Sequence, residues 1–408
     1  MIYFDNSASS LIKPKSVQKA VLNALSLYSA NPGRSGHKQA IKTALELEKV
    51  RSLVANHVGT TSDQVVFTLN CTDALNLAIL GSHVKGGHVV CTENEHNSVL
   101  RPLEHLKNID DEFSYTVAKQ SGYFGIVWED VEACLTENTY LVVVNHISNV
   151  NGDVAEIERI GQELKTRNIL FLVDGAQGGG HFKYNMQEMN INFLSLAPHK
   201  GFYSPQGVGC LAINTNTTLS PIRFGGTGTN SLDLFQPDSL PERFESGTLN
   251  TPAILGFGEG IRFVETNFKQ IQSKLEDLVT YLHYELSKLP IEIYTKTENT
   301  SGVFAFNIPG VESTEVSNYL DEKWDICVRS GYHCAPLKHK ALGTLDSGAV
   351  RVSLSYFNTY QEIEKLVFAI KSFLKRKCWQ TKKSNLFCSF ILLFRFLFLS
   401  IQFCHWLR

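Results

Sequence analysis

The sequence predicts an α/β protein with a large domain, in which a mostly parallel sheet is covered by helices, and a smaller α+β domain towards the C-terminus. Short apolar runs rich in β-branched residues alternate with segments of helical period between residues 63 and 177. This rhythm changes beyond residue 250, where one long helical pattern precedes several short strands. The length of 408 residues allows two domains with sizeable cores.

The patterns of the first half justify the elements of the large domain in turn. Strands are predicted where apolar, β-branched runs occur, in DQVVFTLN, HVVCT, YLVVVNHIS, ILFLVDGAQ and FLSLAPH. Helices are predicted where apolar residues recur at helical spacing, in TDALNLAILGSH, HNSVLRPLEHL and VAEIERIGQELKTR. Because strands and helices alternate, we expect parallel pairing and a sheet covered on both faces.

The C-terminal part follows a different order. We predict a long helix from about Thr251 to Leu289, strands in GVFAFNI, DICVRSG and AVRVSLS, a helix near Ser313–Lys323 and a last helix from Thr359. The chain is therefore divided into an N-terminal segment (1–14), a large domain (15–250), a small domain (251–376) and a tail (377–408).

Composition favours a small-molecule enzyme of a reducing compartment. The formal net charge of -2 comes from interspersed charges, so no strong field for nucleic acid is expected. Nine cysteines without a C-x-x-C pair argue against a disulfide framework and against a zinc site, so no metal is predicted. The N-terminus MIYFDNSASS lacks the pattern of a secretory signal, and we expect a cytoplasmic protein.

The tail is rich in Leu, Phe and Ile between residues 386 and 403 and is preceded by basic residues. This stretch approaches the length of about 20 residues that a membrane helix needs, and the basic residues would keep the protein on the cytoplasmic side. Arg395 in its middle disfavours insertion. We interpret the tail as a non-native extension, with a C-terminal membrane anchor as the alternative.

Polar residues follow the predicted strands, where ligands of open α/β sheets bind. They are Thr72, His96, Asn149, Asp174 and Lys200. Each alone could be a helix cap or a packing residue. Together they fit pyridoxal phosphate, because a lysine amine can carry this cofactor and an acidic group can pair with its ring nitrogen.

Lys200 and Asp174 suit those two roles. The helix N-terminus at Cys71 and Thr72 can offer N–H groups to the phosphate, although Asp73 would repel it if it pointed inwards. His96 can stack on the ring and handle protons.

Two further residues select among reactions. Cys334, in CVRSGYHCAP, lies in a glycine-containing loop after a strand, where a thiol can be exposed and act as a nucleophile. Its alternative role is inert packing. Arg351, in GAVRVSLSYFNT, can grip a substrate carboxylate through two hydrogen bonds, or it can be a surface arginine on an edge strand.

Eight motifs resemble, in order and spacing, those of the class V aminotransferase-fold cysteine desulfurases, which have the type I fold of pyridoxal-phosphate-dependent transferases. They are YFDNSAS, EHNSVL, HISNVNG, VDGAQ, PHKGFYSPQGVG, RFESGTLNTP, RSGYHCAP and VRVSLSYFNT. The resemblance covers residues 2 to about 376. The form around Cys334 is similar to the branch that contains selenocysteine lyases and desulfurases for iron–sulfur cluster assembly.

The resemblance implies a role for each matching position in cofactor binding. Lys200 would carry the cofactor, Asp174 would pair with the pyridine nitrogen, Gln177 would contact the ring oxygen and His96 would stack on the ring. Asn149 would lie beside cofactor and substrate. His199 and Thr72 would hold the phosphate, with Cys71 beside them, and Thr248 would reach the phosphate of the neighbouring subunit in a homodimer.

The same resemblance implies conversion of L-cysteine to L-alanine. Arg351 would bind the substrate carboxylate, and Cys334 would take the sulfur as a persulfide for a sulfur-acceptor protein. Two positions depart from the family pattern: Ala197 replaces a serine or threonine that binds phosphate, and Cys71 replaces a threonine.

Two other functions are compatible with parts of this pattern. A selenocysteine lyase acting on L-selenocysteine, or another C–S lyase, would use the same residues. An inactive homologue acting as a scaffold would be expected to lack Lys200 or Cys334, and both are present.

Overall fold

The computed structural model describes residues 1–33, 36–214, 219–229, 231–297 and 299–377. The chain begins with a two-residue strand, β1 (Ile2–Tyr3), and two helices, α1 (Lys15–Leu27) and α2 (Lys38–Val58). Both helices pack against a long helix of the C-terminal part.

A seven-stranded sheet forms the centre of the molecule. Its strands are β2 (Val65–Thr68), β3 (His88–Thr92), β4 (Ser114–Ala118), β5 (Thr139–Asn145), β6 (Leu170–Asp174), β7 (Phe193–Leu196) and β8 (Gly209–Ile213), in the spatial order β2-β8-β7-β6-β5-β3-β4. All pairs are parallel except those of β8, which runs antiparallel to β2 and β7. The prediction of a mostly parallel sheet is confirmed.

Four helices connect these strands: α3 (Cys71–Gly81), α4 (Asn97–Ile109), α5 (Trp128–Glu132) and α6 (Ile157–Thr166). Two of them begin at a polar cap. Asn70 Oδ1 accepts a hydrogen bond from the Asp73 amide at 3.0 Å, and His96 Nδ1 accepts one from the Ser98 amide, also at 3.0 Å. These caps place the starts of α3 and α4 at the same edge of the sheet.

The C-terminal part starts with the long helix α7 (Thr251–Ser287). It continues with β9 (Glu292–Ile293), β10 (Val303–Asn307), α8 (Ser313–Trp324), β11 (Ile326–Cys327), α9 (Pro336–Ala341), β12 (Val350–Ser353) and a last helix, α10, described over 360–377. Strands β9, β10 and β12 form an antiparallel sheet. The division into domains at residues 14, 250 and 376 stays a prediction.

Side chains alternate between the two faces of the large sheet and form two cores. Val142 and Val144 of β5 belong to one core, whereas Leu141 and Val143 belong to the other. The first core continues through α7 to Phe304 of the small sheet, so one apolar interior joins both sheets.

Strands β1, β4, β8 and β9 were not predicted, and one predicted strand is shorter than expected. Strand β4 was not predicted, because it lies at the sheet edge, is only partly buried and therefore lacks an apolar run. The predicted strand in DICVRSG is only two residues long, and this strand, β11, pairs with β1 rather than with β10.

Among the described residues, no helix combines the length and the apolar character that crossing a membrane requires. The apolar stretch at 386–403, with its alternative interpretations as anchor or extension, lies outside the described residues.

Candidate active site

A cavity of about 210 Å³ opens at the carboxyl ends of the parallel strands, between the large sheet, the loop before α9 and strand β12. Ten of the eleven residues predicted for the site line it: Cys71, Thr72, His96, Asn149, Asp174, Gln177, His199, Lys200, Cys334 and Arg351. Thr248 is exposed and does not line the cavity. The structure therefore brings the strand-end residues and the cysteine loop together.

Lys200 lies in a tight turn after β7. Its amide donates to the Ala197 carbonyl at 3.0 Å, and its carbonyl accepts from the Tyr203 amide at 3.0 Å. Within the described part of the chain, its amine forms no hydrogen bond or ion pair. Desolvation by the cavity walls lowers the pKa of Lys200, and Arg351 lowers it further, against the opposing influence of Asp174. An amine in this setting loses its proton more readily than a lysine in water.

Asp174 ends β6 and is almost completely buried. Its Oδ1 accepts a hydrogen bond from the Ala176 amide at 2.9 Å, and the Cys71 thiol lies 3.8 Å from the same oxygen. Burial raises the pKa of Asp174, while the Ala176 bond and Lys200 oppose that shift. A buried carboxylate that faces a cavity favours a cationic ligand group beside it. Burial likewise raises the pKa of the Cys71 thiol, which is therefore neutral.

His96 is held by a short chain of hydroxyl groups. Its Nδ1 lies 2.8 Å from Ser98 Oγ, which lies 2.8 Å from Thr72 Oγ1. Because Nδ1 also accepts from the Ser98 amide, the ring proton of neutral His96 is assigned to Nε2. Burial, followed by the charge of Lys200, lowers the pKa of His96 to about 4, so the imidazole is neutral at physiological pH.

The N-terminus of α3 provides an anion site beside the cavity. The amides of Cys71 and Thr72 belong to the first turn and have no acceptor within the helix. The Asp73 carboxylate points away from them: it accepts from the Leu69 amide at 3.0 Å and pairs with Arg223. The position of Asp73 in the sequence suggested that it could repel a phosphate. Because its carboxylate points away, this repulsion is avoided.

Three polar atoms of the cavity residues are buried without a hydrogen-bond partner within the described chain: His199 Nδ1, Asn149 Oδ1 and Arg351 Nε. Burial lowers the pKa of His199 to about 4, so its ring is neutral. Gln177 Nε2 donates to the Ser7 carbonyl at 3.0 Å, which fixes the amide at the cavity wall. Unpartnered buried polar atoms are costly, and a polar ligand would satisfy them.

Arg351 is 1% exposed and partly engaged by the protein. Its guanidinium donates to Asp5 Oδ1 at 2.7 Å and to the Asn149 carbonyl at 2.9 Å, while its Nε has no partner among the described residues. Arg329, whose backbone pairs with that of Arg351, lines the same cavity and was not predicted from the sequence. Its place in the R-x-G-x-H-C motif could have indicated it.

Cys334 lies at the tip of a tight turn. The Ala335 amide donates to the Tyr332 carbonyl at 2.9 Å, and the two central residues, His333 and Cys334, have φ values of 50° and 57°. Positive φ at both central positions defines a type I′ turn, which usually holds Asn or Gly there. Asn149 Nδ2 donates to the His333 carbonyl at 2.7 Å, which holds the turn against the large sheet. Cys334 is exposed.

Glu95, next to His96, does not line the cavity, and its burial was not predicted from the sequence. It is fully buried, and its Oε1 accepts from Thr92 Oγ1 at 2.6 Å and from the Asn145 amide at 2.8 Å, whereas Oε2 has no partner among the described residues. Burial raises the pKa of Glu95 to about 8. No sequence signal distinguishes this carboxyl from an exposed one, because its neutrality results from three-dimensional packing.

Comparison with known proteins agrees with this geometry. The family model described as Aminotransferase class-V matches residues 2–366. A probable cysteine desulfurase of Methanothermobacter thermautotrophicus is 33% identical, over 90% of this chain and 92% of its own length. A cysteine desulfurase of Yersinia pseudotuberculosis is 31% identical, over 91% and 93%. The apo structure of the Thermococcus onnurineus cysteine desulfurase superimposes with a TM-score of 0.85 at 32% identity, covering 92% of this chain and 94% of that one.

The chain belongs to the aminotransferase class V family, whose fold the large sheet and its helices reproduce. Within it, the chain is an enzyme of the cysteine desulfurase type and depends on pyridoxal phosphate. The residues present fit this cofactor. The residues that line one cavity supply an amine of lowered pKa, a buried carboxylate, a neutral imidazole, amides at a helix N-terminus and three polar atoms without a partner among the described residues.

Proposed function

We propose that this cavity converts L-cysteine to L-alanine and that Cys334 takes up the sulfur as a persulfide. One observation carries the proposal: an exposed thiol on a turn lines the same cavity as Lys200 and Asp174. The relatives named cysteine desulfurase support this reaction and favour it over a selenocysteine lyase. An inactive scaffold is disfavoured because both the lysine and the cysteine are present.

The cofactor roles follow from the groups that face the cavity. Pyridoxal phosphate, when bound, supplies an electron sink for the α-carbon of the substrate. Lys200 holds the cofactor and, with its lowered pKa, takes the α-proton of the substrate. Asp174 would pair with the ring nitrogen, His96 would stack on the ring, and the amides of Cys71 and Thr72 would hold the phosphate.

The remaining cofactor contacts are assigned to three side chains. His199 would contact the phosphate, Gln177 would contact the ring oxygen, and Asn149 would lie beside cofactor and substrate. Ala197 stands where the family resemblance leads us to expect a serine or threonine at the phosphate, so the amides of α3 and the ring of His199 would bear more of the binding.

Arginine side chains bind the substrate carboxylate. Arg351 has an unpartnered Nε and Arg329 makes no side-chain hydrogen bond within the described chain. Two guanidinium groups on one cavity wall favour a carboxylate over a neutral group.

Sulfur transfer uses the Cys334 thiolate. The thiolate attacks the substrate sulfur, so an S–S bond forms while the C–S bond breaks. The electron pair of the C–S bond goes to the β-carbon of the substrate, and this carbon then takes a proton to give alanine. Because the thiol is exposed, the persulfide can be passed to a sulfur-acceptor protein, as in iron–sulfur cluster assembly.

We further propose a homodimer in which Thr248 reaches the phosphate of the neighbouring subunit. Thr248 is exposed, and it adjoins Gly247, whose amide donates to the Gly226 carbonyl at 2.9 Å. The nearby segment carries exposed apolar side chains at Phe224, Leu234 and Phe235. Apolar side chains exposed together indicate a protein interface.

The reaction is tested by incubating the purified protein with L-cysteine and measuring alanine and sulfide, with and without a reductant. We expect alanine in both cases and sulfide chiefly with the reductant, which cleaves the persulfide. L-selenocysteine in the same assay ranks the two substrates. Borohydride reduction followed by peptide mapping tests the cofactor lysine, and a pyridoxyl group on a lysine other than Lys200 would contradict its assignment.

A further inference from the structure

A buried cluster of charged and polar side chains lies outside the cavity, next to the segment that carries Cys334. At its centre, Lys338 Nζ lies 2.8 Å from Asp153 Oδ2, and the two side chains are 3% and 4% exposed. None of these groups has a role in the reaction described above. A lysine at this depth needs a specific partner, because an unpaired ammonium is costly to bury.

Gln120 completes the cluster. Its Oε1 accepts from Lys338 Nζ at 3.0 Å, and its Nε2 donates to Asp153 Oδ2 at 3.1 Å, so the three side chains form a closed ring of contacts. Asn94 Nδ2 donates to the same Oε1 at 3.2 Å. Lys296 Nζ lies 3.5 Å from Asp153 Oδ1 and is the more exposed of the two lysines.

The cluster joins the cysteine segment to the loops that form the cavity. Lys338 lies on α9, four residues after Cys334. Asp153 lies four residues after Asn149, in the loop after β5. Asn94 lies in the loop after β3, two residues before His96. Every displacement of α9 relative to these loops would break a contact of the cluster.

A buried ion pair adds little net stability compared with apolar side chains of similar volume. Its directed hydrogen bonds, however, allow only a narrow range of separations between the segments that they join. Two hydrogen bonds join the cysteine turn to residues that follow β3 and β5: the His333 carbonyl accepts from Asn149 Nδ2, and the Cys334 carbonyl accepts from the Asn97 amide at 2.7 Å. The cluster adds a third connection to these parts of the chain, on the C-terminal side of the turn.

We propose that Lys338, Asp153 and Gln120 are positioning residues for sulfur transfer, and this proposal rests on the proposed function. They fix α9 against the large sheet and thereby hold Cys334 within reach of the substrate sulfur. They do not serve the removal of the α-proton, because Lys200 lies in the turn after β7, and among the described residues no hydrogen bond or ion pair of the cluster reaches that turn.

The test uses Lys338→Met in the full chain loaded with its cofactor. Methionine has a similar length, and Lys296 stays beside Asp153 to balance its charge, so we expect the variant to fold. The kcat for alanine formation from L-cysteine should fall about 10- to 100-fold, the loss that a misplaced reacting group produces. Exchange of the α-hydrogen of L-alanine for deuterium, which needs Lys200 but not Cys334, should stay unchanged.

A third measurement is independent of the loaded enzyme. Alkylation of Cys334 by iodoacetamide in cofactor-free protein should proceed at the wild-type rate, because the thiol is exposed before and after the change. Lys340→Met is the matched control, since Lys340 is exposed on the same helix and lies outside the cluster. This control should match the wild type in all three measurements.

Two outcomes would overturn the proposal. A wild-type kcat in Lys338→Met would show that the cluster does not position the thiol, and a parallel loss of deuterium exchange would show a general structural role. If Lys338→Met does not fold, Gln120→Leu is used instead, because this change leaves the ion pair intact. We again expect a lower kcat for alanine formation and unchanged deuterium exchange. Absence of alanine formation by the wild-type protein would instead contradict the proposed function.

Discussion

Cys334 is an exposed side chain on a turn, so its replacement by serine changes little packing. Cys334→Ser should retain the melting temperature and the visible absorbance of the bound cofactor. Alanine formation from L-cysteine should fall by at least about 100-fold, because a hydroxyl is a poor nucleophile towards sulfur. The activity of the variant on L-selenocysteine should fall less, since selenium is a better leaving group than sulfur. If this variant produced alanine at the full rate without a persulfide, the assignment as a desulfurase would be wrong and the protein would be a plain C–S lyase.

Glu95 predicts a pH dependence of stability. Its folded-state pKa of about 8 lies above the ordinary value for glutamate, so the folded state binds a proton that the unfolded state has lost between these two values. Stability should therefore fall as the pH rises towards 8, with a slope of up to about 1.4 kcal/mol per pH unit. Glu95→Gln should remove this component of the slope, and urea unfolding from pH 5 to pH 9 measures it. Equal slopes for both proteins would refute the assignment.

At the scale of elements, β8 sets the position of the α3 N-terminus. A Cβ on Gly209 would lie 2.2 Å from the carbonyl carbon of Asn70, the residue that caps α3. Backbone cannot yield as a flexible side chain can, so Gly209→Ala should displace the cap and the amides that follow it. We expect an affinity for pyridoxal phosphate at least about 10-fold lower, the loss of about one charge-assisted hydrogen bond.

Titration of the apoprotein with the cofactor measures this affinity. Gly36→Ala is the control, because a Cβ at Gly36 meets no atom within 4 Å. Cofactor affinity of Gly209→Ala equal to that of the wild type would show that the α3 cap does not depend on this close approach.

The elements that were predictable are those with a periodic apolar pattern. The strand-end rule placed Asp174 and Lys200 correctly at one cavity, because buried parallel strands leave a continuous apolar run in the sequence. Strand β4 left no such run. The burial of Lys338 could not be predicted either, because a lysine on a short helix is expected to be exposed unless its distant partner, Asp153, is known.

At the scale of the whole molecule, the segment 224–235 carries large apolar side chains whose exposure to water is unfavourable. Leu232, Leu234 and Phe235 are 100%, 97% and 85% exposed. Sedimentation should show a dimer at micromolar concentration. The double variant Leu234→Asp with Phe235→Asp should sediment as a monomer and bind the cofactor more weakly, because Thr248 of each subunit would leave its neighbour's phosphate.

Ile109→Asp is the matched control, since Ile109 is also exposed but lies at the end of α4. It should remain dimeric. A wild-type protein that is monomeric and fully active would contradict both the interface and the role of Thr248.

The turn at Tyr332–Ala335 places two ordinary L-residues where glycine or asparagine is preferred. Each such residue opposes folding by about 1–2 kcal/mol. Glycine at position 334 would relieve that strain and remove the nucleophile at the same time. A substitution at this position can therefore raise thermostability only at the expense of turnover. Selection for stability alone would favour loss of the thiol on which the reaction depends.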